Sequence, residues 1–286
     1  MPSRRLLLVQ LLLLLGLLIV GCDANNQDTP EKLTIGIVSY DTGVRSIEKY
    51  ESFKEYLAAQ THTLVELEPT FNELQAVDQV QRRVWSIVFA PPGLAAIAID
   101  QEQYIPIFRM QGANNLRSII VVREDSPIRR SLTDLANKVV ALGQPGSAAG
   151  YYLPLYDMYG LTLAELRFAP TPRTILEWLS QDIVDAGALS EDEFQLYQRE
   201  FEQTKLRILH KTRFIPLGVV LLGPTVERNQ QQQIEAAMKS APPNIVGDAG
   251  YILDAKVPNY EQFIEIVEKV SPLEAQVRKK PAVLTR

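Results

Sequence analysis

Short apolar runs rich in β-branched residues alternate with longer helical patterns through most of this chain, and this alternation constrains its fold more than any other feature. The first run, residues 33–38 (LTIGIV), precedes a helical pattern over 47–59. A helical pattern also follows each of the runs 62–67 and 86–89. A second series begins at 138–142. This rhythm is typical of helices packed on both faces of mostly parallel sheets, so we predict an α/β fold.

The first 22 residues have a different character. Two arginines at positions 4 and 5 precede an apolar run over 6–20, which is followed by Gly21 and Cys22. A basic start and a short apolar stretch are typical of an export signal, and the run is shorter than the ~20 residues that comfortably span a bilayer. Its ending resembles the lipobox of bacterial lipoproteins, and Cys22 is the only cysteine. We predict a signal peptide at 1–21 and lipidation of Cys22; the alternative is an uncleaved anchor helix.

Charge and motif content exclude several classes of function. The net charge of −5 argues against nucleic acid and against a basic membrane-binding patch. His62 and His210 have no ligand-spaced partners, so we expect no metal site. There is no G-x-S-x-G elbow and no P-loop lysine, so we expect neither catalytic residues nor cofactors. The polar segment 22–32 is predicted to be a tether.

Ligands of open parallel sheets bind beyond the carboxyl ends of the strands, so we expect the ligand site in the loops that follow the strands. The loop at 143–150 (GQPGSAAG) contains two glycines and a proline before Ser147 opens a helix. A helix start of this kind points free backbone N–H groups at an anion. Ser147 could equally serve only as the N-cap of its own helix, and the two roles are compatible.

At this loop the chain resembles the solute-binding proteins of ABC importers for phosphonate, phosphite and phosphate. The resemblance is carried by residues 121–128 (VVREDSPI) and 132–154 (LTDLANKVVALGQPGSAAGYYLP), with weaker similarity over most of the chain after the tether. It implies a two-lobed periplasmic-binding-protein-like fold in which two crossing strands form a hinge. One lobe would comprise 33–112 and 214–286, and the other 113–213.

The resemblance also implies a function. The chain would be a lipid-anchored, extracytoplasmic solute-binding protein on a bacterial membrane, closing on a small oxyanion and delivering it to an ABC permease in the inner membrane. The alternatives are a lipoprotein of the same fold that senses a ligand or delivers another solute, such as a carboxylate or a vitamin precursor, and an exported enzyme.

The site residues depart from the family pattern. Where the family has Ser-Thr-Ser, this chain has Ser147, Ala148 and Ala149, and Gln144 replaces an aspartate. A second aspartate, expected after the Ile-Pro pair, is absent at Leu217. Each lost hydrogen bond to a buried oxyanion costs roughly 1 to 3 kcal/mol, so we expect weaker phosphonate binding, with amine-bearing phosphonates least favoured.

Six other residues are candidates for compensating ligand contacts: Tyr40, Thr42, Arg117, Ser118, Tyr151 and Glu191. Tyr40 and Thr42 follow the first strand, Arg117 precedes the strand that enters the second lobe, and Glu191 follows the run 183–188. The alternatives are a surface tyrosine, a solvated arginine and, for Glu191, an acidic helix start. The predicted ligand-binding set comprises Tyr40, Thr42, Arg117, Ser147, Ala148, Ala149 and Glu191.

Overall fold

The computed structural model describes residues 32–38, 45–112, 115–128 and 131–285. The predicted signal peptide, Cys22, almost all of the tether, Tyr40 and Thr42 lie outside these ranges. Within them, no helix combines the length and the apolar character that crossing a bilayer requires.

The strands form two main sheets, each the centre of one lobe. The sheet of the first lobe has the order β12-β4-β11-β3-β1-β2, that of the second lobe has the order β10-β5-β9-β6-β8, and β13 pairs with β7 apart from both. The strands are β1 (Lys32–Val38), β2 (Leu64–Thr70), β3 (Ile87–Ala90), β4 (Ile105–Met110), β5 (Arg117–Arg123), β6 (Val139–Leu142), β7 (Thr162–Leu163), β8 (Glu165–Phe168), β9 (Ala186–Ser190), β10 (Leu206–Phe214), β11 (Val219–Leu222), β12 (Tyr251–Ile252) and β13 (Ala282–Val283).

Helices flank both sheets. They are α1 (Arg45–Glu48), α2 (Glu51–Thr61), α3 (Glu73–Gln81), α4 (Pro92–Asp100), a π-helix (Ala148–Tyr152) continued by α5 (Leu153–Asp157), α6 (Pro172–Ser180), α7 (Glu191–Tyr197), α8 (Arg228–Lys239), α9 (Pro243–Ala249), α10 (Glu261–Val270) and α11 (Glu274–Val277), with 3₁₀ turns at Leu132–Leu135, Gln198–Phe201 and Ser271–Leu273.

Most strands of each sheet run in one direction, as predicted: β1, β2, β3 and β4 in the first lobe, and β6, β8, β9 and β10 in the second. In the first lobe β1 runs parallel to β2 and β3, whereas β11 is antiparallel to β3 and β4. In the second lobe β6 runs parallel to β8 and β9, whereas β5 is antiparallel to β9 and β10. β5 and β11 are each the first strand after the chain passes from one sheet to the other. A strand that re-enters a sheet from the other lobe arrives without a βαβ crossover, so parallel pairing is not imposed on it.

The chain passes from one sheet to the other between β4 and β5 and returns between β10 and β11. The two passages lie side by side, because the N–H of Ile215 donates to the carbonyl oxygen of Leu116 at 2.9 Å. This is the arrangement of paired crossing segments that the two-lobed fold requires.

The C-terminal segment departs from the predicted division, which assigns 214–286 entirely to the first lobe. Its strand β13 pairs with β7, and Lys280 forms an ion pair with Glu165, both within the range predicted for the second lobe. The N–H of Leu284 donates to Leu161 O, and Leu284 O accepts from Gly160 N–H. Leu284 is fully buried, so burial of apolar surface holds the chain end against the other lobe.

One hydrophobic cluster joins elements of both lobes. Val88 and Ala95 of the first lobe share it with Ile120 and Val140 of the second, and α10 contributes Val267. A shared core keeps the lobes in contact in this structure, because separating them would expose part of it to water.

Replacement of Leu284 by alanine tests whether the C-terminal segment stabilises the fold. Truncating a fully buried leucine should lower the free energy of unfolding by about 2–5 kcal/mol. Val283→Ala is the matched control: Val283 is 38% exposed, so its truncation should cost less than about 1 kcal/mol. Urea unfolding measures the free energy of unfolding of both variants. An equal decrease in the two would show that the C-terminal segment packs differently.

Candidate functional site

The glycine-rich loop joins β6 to the π-helix with a tightly bonded backbone. The Ser147 N–H donates to Gln144 O at 3.1 Å, and the Gly143 N–H donates to Gly150 O at 2.9 Å. Gly146 has φ of +103°, a conformation that residues with a Cβ adopt only under strain. The Ser147 Oγ accepts from the N–H of Gly150 at 2.9 Å, so the serine is an N-cap.

The first two amides of this helix are its unused donors. The N–H groups of Ala148 and Ala149 form no hydrogen bond to any residue that the structure describes, and both alanine residues are less than 9% exposed. Unpaired N–H groups at a helix start carry partial positive charge and attract anions. Of the predicted site residues, Ser147, Ala148 and Ala149 thus form a potential anion cradle.

The first lobe closes directly onto this cradle through its backbone. Pro92 and Gly93 begin α4, and a methyl group built on Gly93 would lie 2.0 Å from Gly146 O and 2.8 Å from the amide nitrogen of Ala148. Glu73, at the start of α3, faces the same loop, because a Cβ on Gly146 would lie 2.8 Å from the Cβ of Glu73. At this contact the two lobes approach each other closely because Gly93 and Gly146 carry no side chains.

A small cavity of about 10 Å³ remains beside the cradle. A volume of this size holds about one water molecule. Its lining residues come from α3, the glycine-rich loop, the 169–172 loop with α6, and the end of β9 with α7: Glu73, Gly143, Gln144, Ser147, Gly150, Ala169, Pro170, Thr171, Pro172, Ile175, Ala188, Leu189 and Glu193.

Arg117 and Ser118 are neighbours on β5 but face different surroundings. The Ser118 Oγ donates to Ala149 O at 2.5 Å and so fixes the first turn of the π-helix. The Arg117 Nη1 donates to Thr212 O at 2.9 Å, and its guanidinium carbon lies 3.7 Å from the centroid of the Phe214 ring. Successive side chains of a strand point to opposite faces, so Ser118 lies at the cradle whereas Arg117 is held at the interlobe passage.

Glu191 and Glu193 of α7 also have separate roles. Glu191 Oε1 lies 2.5 Å from Lys211 Nζ, and Glu191 is not among the residues that line the cavity. Glu193 does line the cavity, and its Oε2 accepts from the N–H of Ser190 at 2.8 Å. Burial raises the pKa of the Glu193 carboxyl group, and the bonds to Ser190 oppose this with smaller effects.

Glu73 and Glu193 are the cavity residues that sequence reasoning missed. A signal for Glu193 exists, because Ser190 and Glu193 have the S-x-x-E spacing of a capping box, which directs the glutamate back toward the end of β9. No local signal identifies Glu73, since its proximity to Gly146 depends on how the two lobes meet.

Neither histidine belongs to this site. His210 Nε2 lies 2.7 Å from Asp157 Oδ2, and His62 ends α2. Among the described residues, no group of histidine, cysteine, aspartate and glutamate side chains is arranged to hold a metal ion.

A protein-family model described as "ABC transporter, phosphonate, periplasmic substrate-binding protein" matches residues 35–269. The match covers both main sheets and the glycine-rich loop. A comparison with curated protein sequences found no significant match.

Solved structures share the fold at low sequence identity. A Xanthomonas citri protein bound to ATP superposes with a TM-score of 0.68 and 17% identity, covering 85% of this chain and 98% of that one. PhnD1 from Prochlorococcus marinus in complex with methylphosphonate gives a TM-score of 0.65 and 17% identity, covering 85% and 99%. A binding protein component of an ABC phosphonate transporter from Pseudomonas aeruginosa gives a TM-score of 0.59 and 17% identity, covering 78% of this chain and 80% of that one. The two-lobed periplasmic-binding-protein fold is thereby confirmed.

Gly93→Ala tests the backbone contact between the lobes. A methyl group 2.0 Å from Gly146 O must displace one loop, so the free energy of unfolding should fall by about 1–3 kcal/mol, or the lobes should separate. Gly247→Ala is the control: Gly247 lies within α9 with open space around it, and alanine there should stabilise by about 0.5–1 kcal/mol. Urea unfolding measures the stability of both variants, and small-angle scattering measures the separation of their lobes. A Gly93→Ala protein with wild-type stability and wild-type scattering would contradict the contact.

Proposed function

This chain belongs to the family of periplasmic substrate-binding proteins of phosphonate ABC transporters, and from that premise we propose that it binds a small oxyanion at the Ser147 helix start, between its two lobes. The solute would be related to phosphonate, phosphite or phosphate. The protein would deliver it to the permease of an ABC importer.

The amides of Ala148 and Ala149, which donate to no residue in the described part of the chain, are the observation that carries this proposal. They stand at a helix start beside the capping Ser147, whose hydroxyl hydrogen remains available for a ligand while Oγ accepts from Gly150. Backbone donors survive any side-chain substitution, so the loss of the family's two hydroxyls leaves the basic anion cradle in place. The number of available donors is nevertheless reduced, which favours an oxyanion that needs few of them.

Ligand entry requires the lobes to move apart. A cavity of about 10 Å³ has no room for a phosphonate, and the Gly93 backbone lies against Ala148 N. The two passages between the sheets, which meet at Leu116 and Ile215, are the places about which the lobes would rotate. Hinged opening of this kind is a common route to a buried ligand site.

We further propose that Cys22 carries the lipid that holds the protein at the membrane. The support is the signal-like sequence before it and the absence of any other cysteine from the chain. The segment between Cys22 and Lys32 would then connect the lipid to β1 as a tether.

Ser147→Ala tests the ligand site. The change removes one hydrogen bond to the ligand, so affinity for the best oxyanion should fall about tenfold. A thermal-shift screen of the purified full-length protein against phosphate, phosphite, methylphosphonate, aminoethylphosphonate and small carboxylates identifies that oxyanion. Ser131→Ala removes an exposed serine at another helix start away from the cavity and should leave the ligand shift unchanged.

Two results would contradict the assignment of the site. One is an unchanged ligand-induced shift in the Ser147→Ala protein. The other is the absence of a shift with every oxyanion tested, since a ligand at ~100 times its dissociation constant should add about 2.7 kcal/mol to stability.

Cys22→Ser tests the anchor. Serine has no thiol to acylate, so the protein should appear in the soluble exported fraction or remain as the uncleaved precursor. Cell fractionation and intact-protein mass spectrometry distinguish these outcomes from the wild type. A wild-type protein without an acyl adduct would contradict the proposal.

A further inference from the structure

A buried tyrosine hydroxyl joins the start of α10 to one of the two passages between the lobes. Tyr260 occupies the N-cap position of α10 and is only 4% exposed. Its hydroxyl donates to the carbonyl oxygen of Leu217, in the passage from β10 to β11. Burial raises the pKa of Tyr260, so the hydroxyl keeps its proton and remains a donor. We call this contact the hinge bond.

The acceptor of the hinge bond is fixed to the first lobe. The carbonyl oxygen of Gly218, the next residue, accepts from the N–H of Met110 at the end of β4, at 2.9 Å. The side chain of Leu217 lies against the other passage, because a Cβ built on Gly112 would be 3.0 Å from Leu217 Cδ2. We therefore expect Leu217 to follow the first lobe when the lobes rotate.

The helix that carries the donor is attached to the second lobe. The Phe263 ring packs edge-on against Tyr152 of the π-helix, with 6.5 Å between the ring centroids. At the other end of α10, Lys269 Nζ lies 4.8 Å from the centroid of the Tyr156 ring and 5.0 Å from that of the Tyr159 ring. Contacts of an ammonium group with aromatic faces are attractive, and they add to the burial of the apolar side of α10.

The first lobe also contacts α10, since Val267 belongs to the same hydrophobic cluster as Ala95 of α4. Opening of the lobes must therefore separate α10 from one lobe or the other. Beyond α10, β13 pairs with β7 and the fully buried Leu284 packs there, so the second-lobe contacts are the more extensive ones. The contact with α4 is then the one that parts, and the hinge bond joins the same two bodies.

We propose that Tyr260 is a positioning residue for ligand binding: the hinge bond holds the lobes closed and breaks when they open, while residues 261–285 move with the second lobe. This inference rests on the proposed opening of the lobes around an oxyanion. Loss of the hinge bond would shift the population toward the open state, and the apparent affinity of a ligand that needs the closed state would fall with the closed fraction.

Tyr260→Phe tests the hinge bond because it removes only the hydroxyl. Tyr251→Phe is the matched control, since Tyr251 is also buried and its hydroxyl donates to Met238 O at 2.8 Å, entirely within the first lobe. Both variants lose one hydrogen bond to a backbone carbonyl, so their stabilities should fall by similar amounts. Small-angle scattering on the purified full-length protein without ligand measures the separation of the lobes. Isothermal titration calorimetry with phosphate and with methylphosphonate measures affinity.

Tyr260→Phe should be more expanded than the wild type without ligand and should bind the better of the two anions about fivefold more weakly. Tyr251→Phe should match the wild type in both measurements. Leu284→Ala should also keep the wild-type affinity, because Leu284 packs inside the body that the second lobe and the C-terminal segment form together.

A Tyr260→Phe protein with wild-type compactness, or one that expands without losing affinity, would overturn the inference, while anion binding by the wild type left the proposed function standing. An equal loss of affinity in Tyr251→Phe or Leu284→Ala would also overturn it. If the wild type binds neither anion, the proposed function fails, and the comparison of scattering between Tyr260→Phe and Tyr251→Phe still decides whether the hinge bond holds the lobes closed.

Discussion

The direct backbone contact between the lobes, Gly93 against Gly146 and Ala148, is the constraint on which the rest of the site depends. It is possible only because Gly93 lacks a Cβ and Gly146 adopts a positive φ. The contact brings α3 and α4 of the first lobe to the helix start of the second. It thereby reduces the cleft to a space for about one water and places Glu73 beside residues more than seventy positions away in the sequence.

Hydrogen bonds within the second lobe give the cradle its shape. Ser118 fixes the first turn of the π-helix through Ala149 O, and Ser147 caps it through Gly150 N. The proposed anion site uses the amides of Ala148 and Ala149, and the side chains of Glu73 and Glu193 line the same cavity.

Several features could be predicted from particular residues. The segment 132–154 carries enough local pattern to identify the family, and the glycine-rich turn before Ser147 predicts the helix start that the structure has. The alternating β-branched runs predict the α/β class. The same patterns predict mostly parallel sheets, which is confirmed, but they do not identify β5 and β11 as antiparallel strands, because the direction of these two depends on where the chain passes between the lobes. Arg117 and Glu191 belong to the predicted ligand-binding set, yet the structure engages them with Thr212 and Lys211.

The sequence by itself determined the local properties of this protein: the strand and helix types, the N-cap at Ser147, the loss of two hydroxyls at Ala148 and Ala149, and the family to which the chain belongs. Each of these depends on neighbouring residues and their backbone preferences. Only the tertiary structure decided which acids face the cradle, which side of β5 contributes to it, and where the C-terminal segment ends. Those features arise from contacts between distant parts of the chain, and burial of a shared core fixes them without leaving a periodic signal in the sequence.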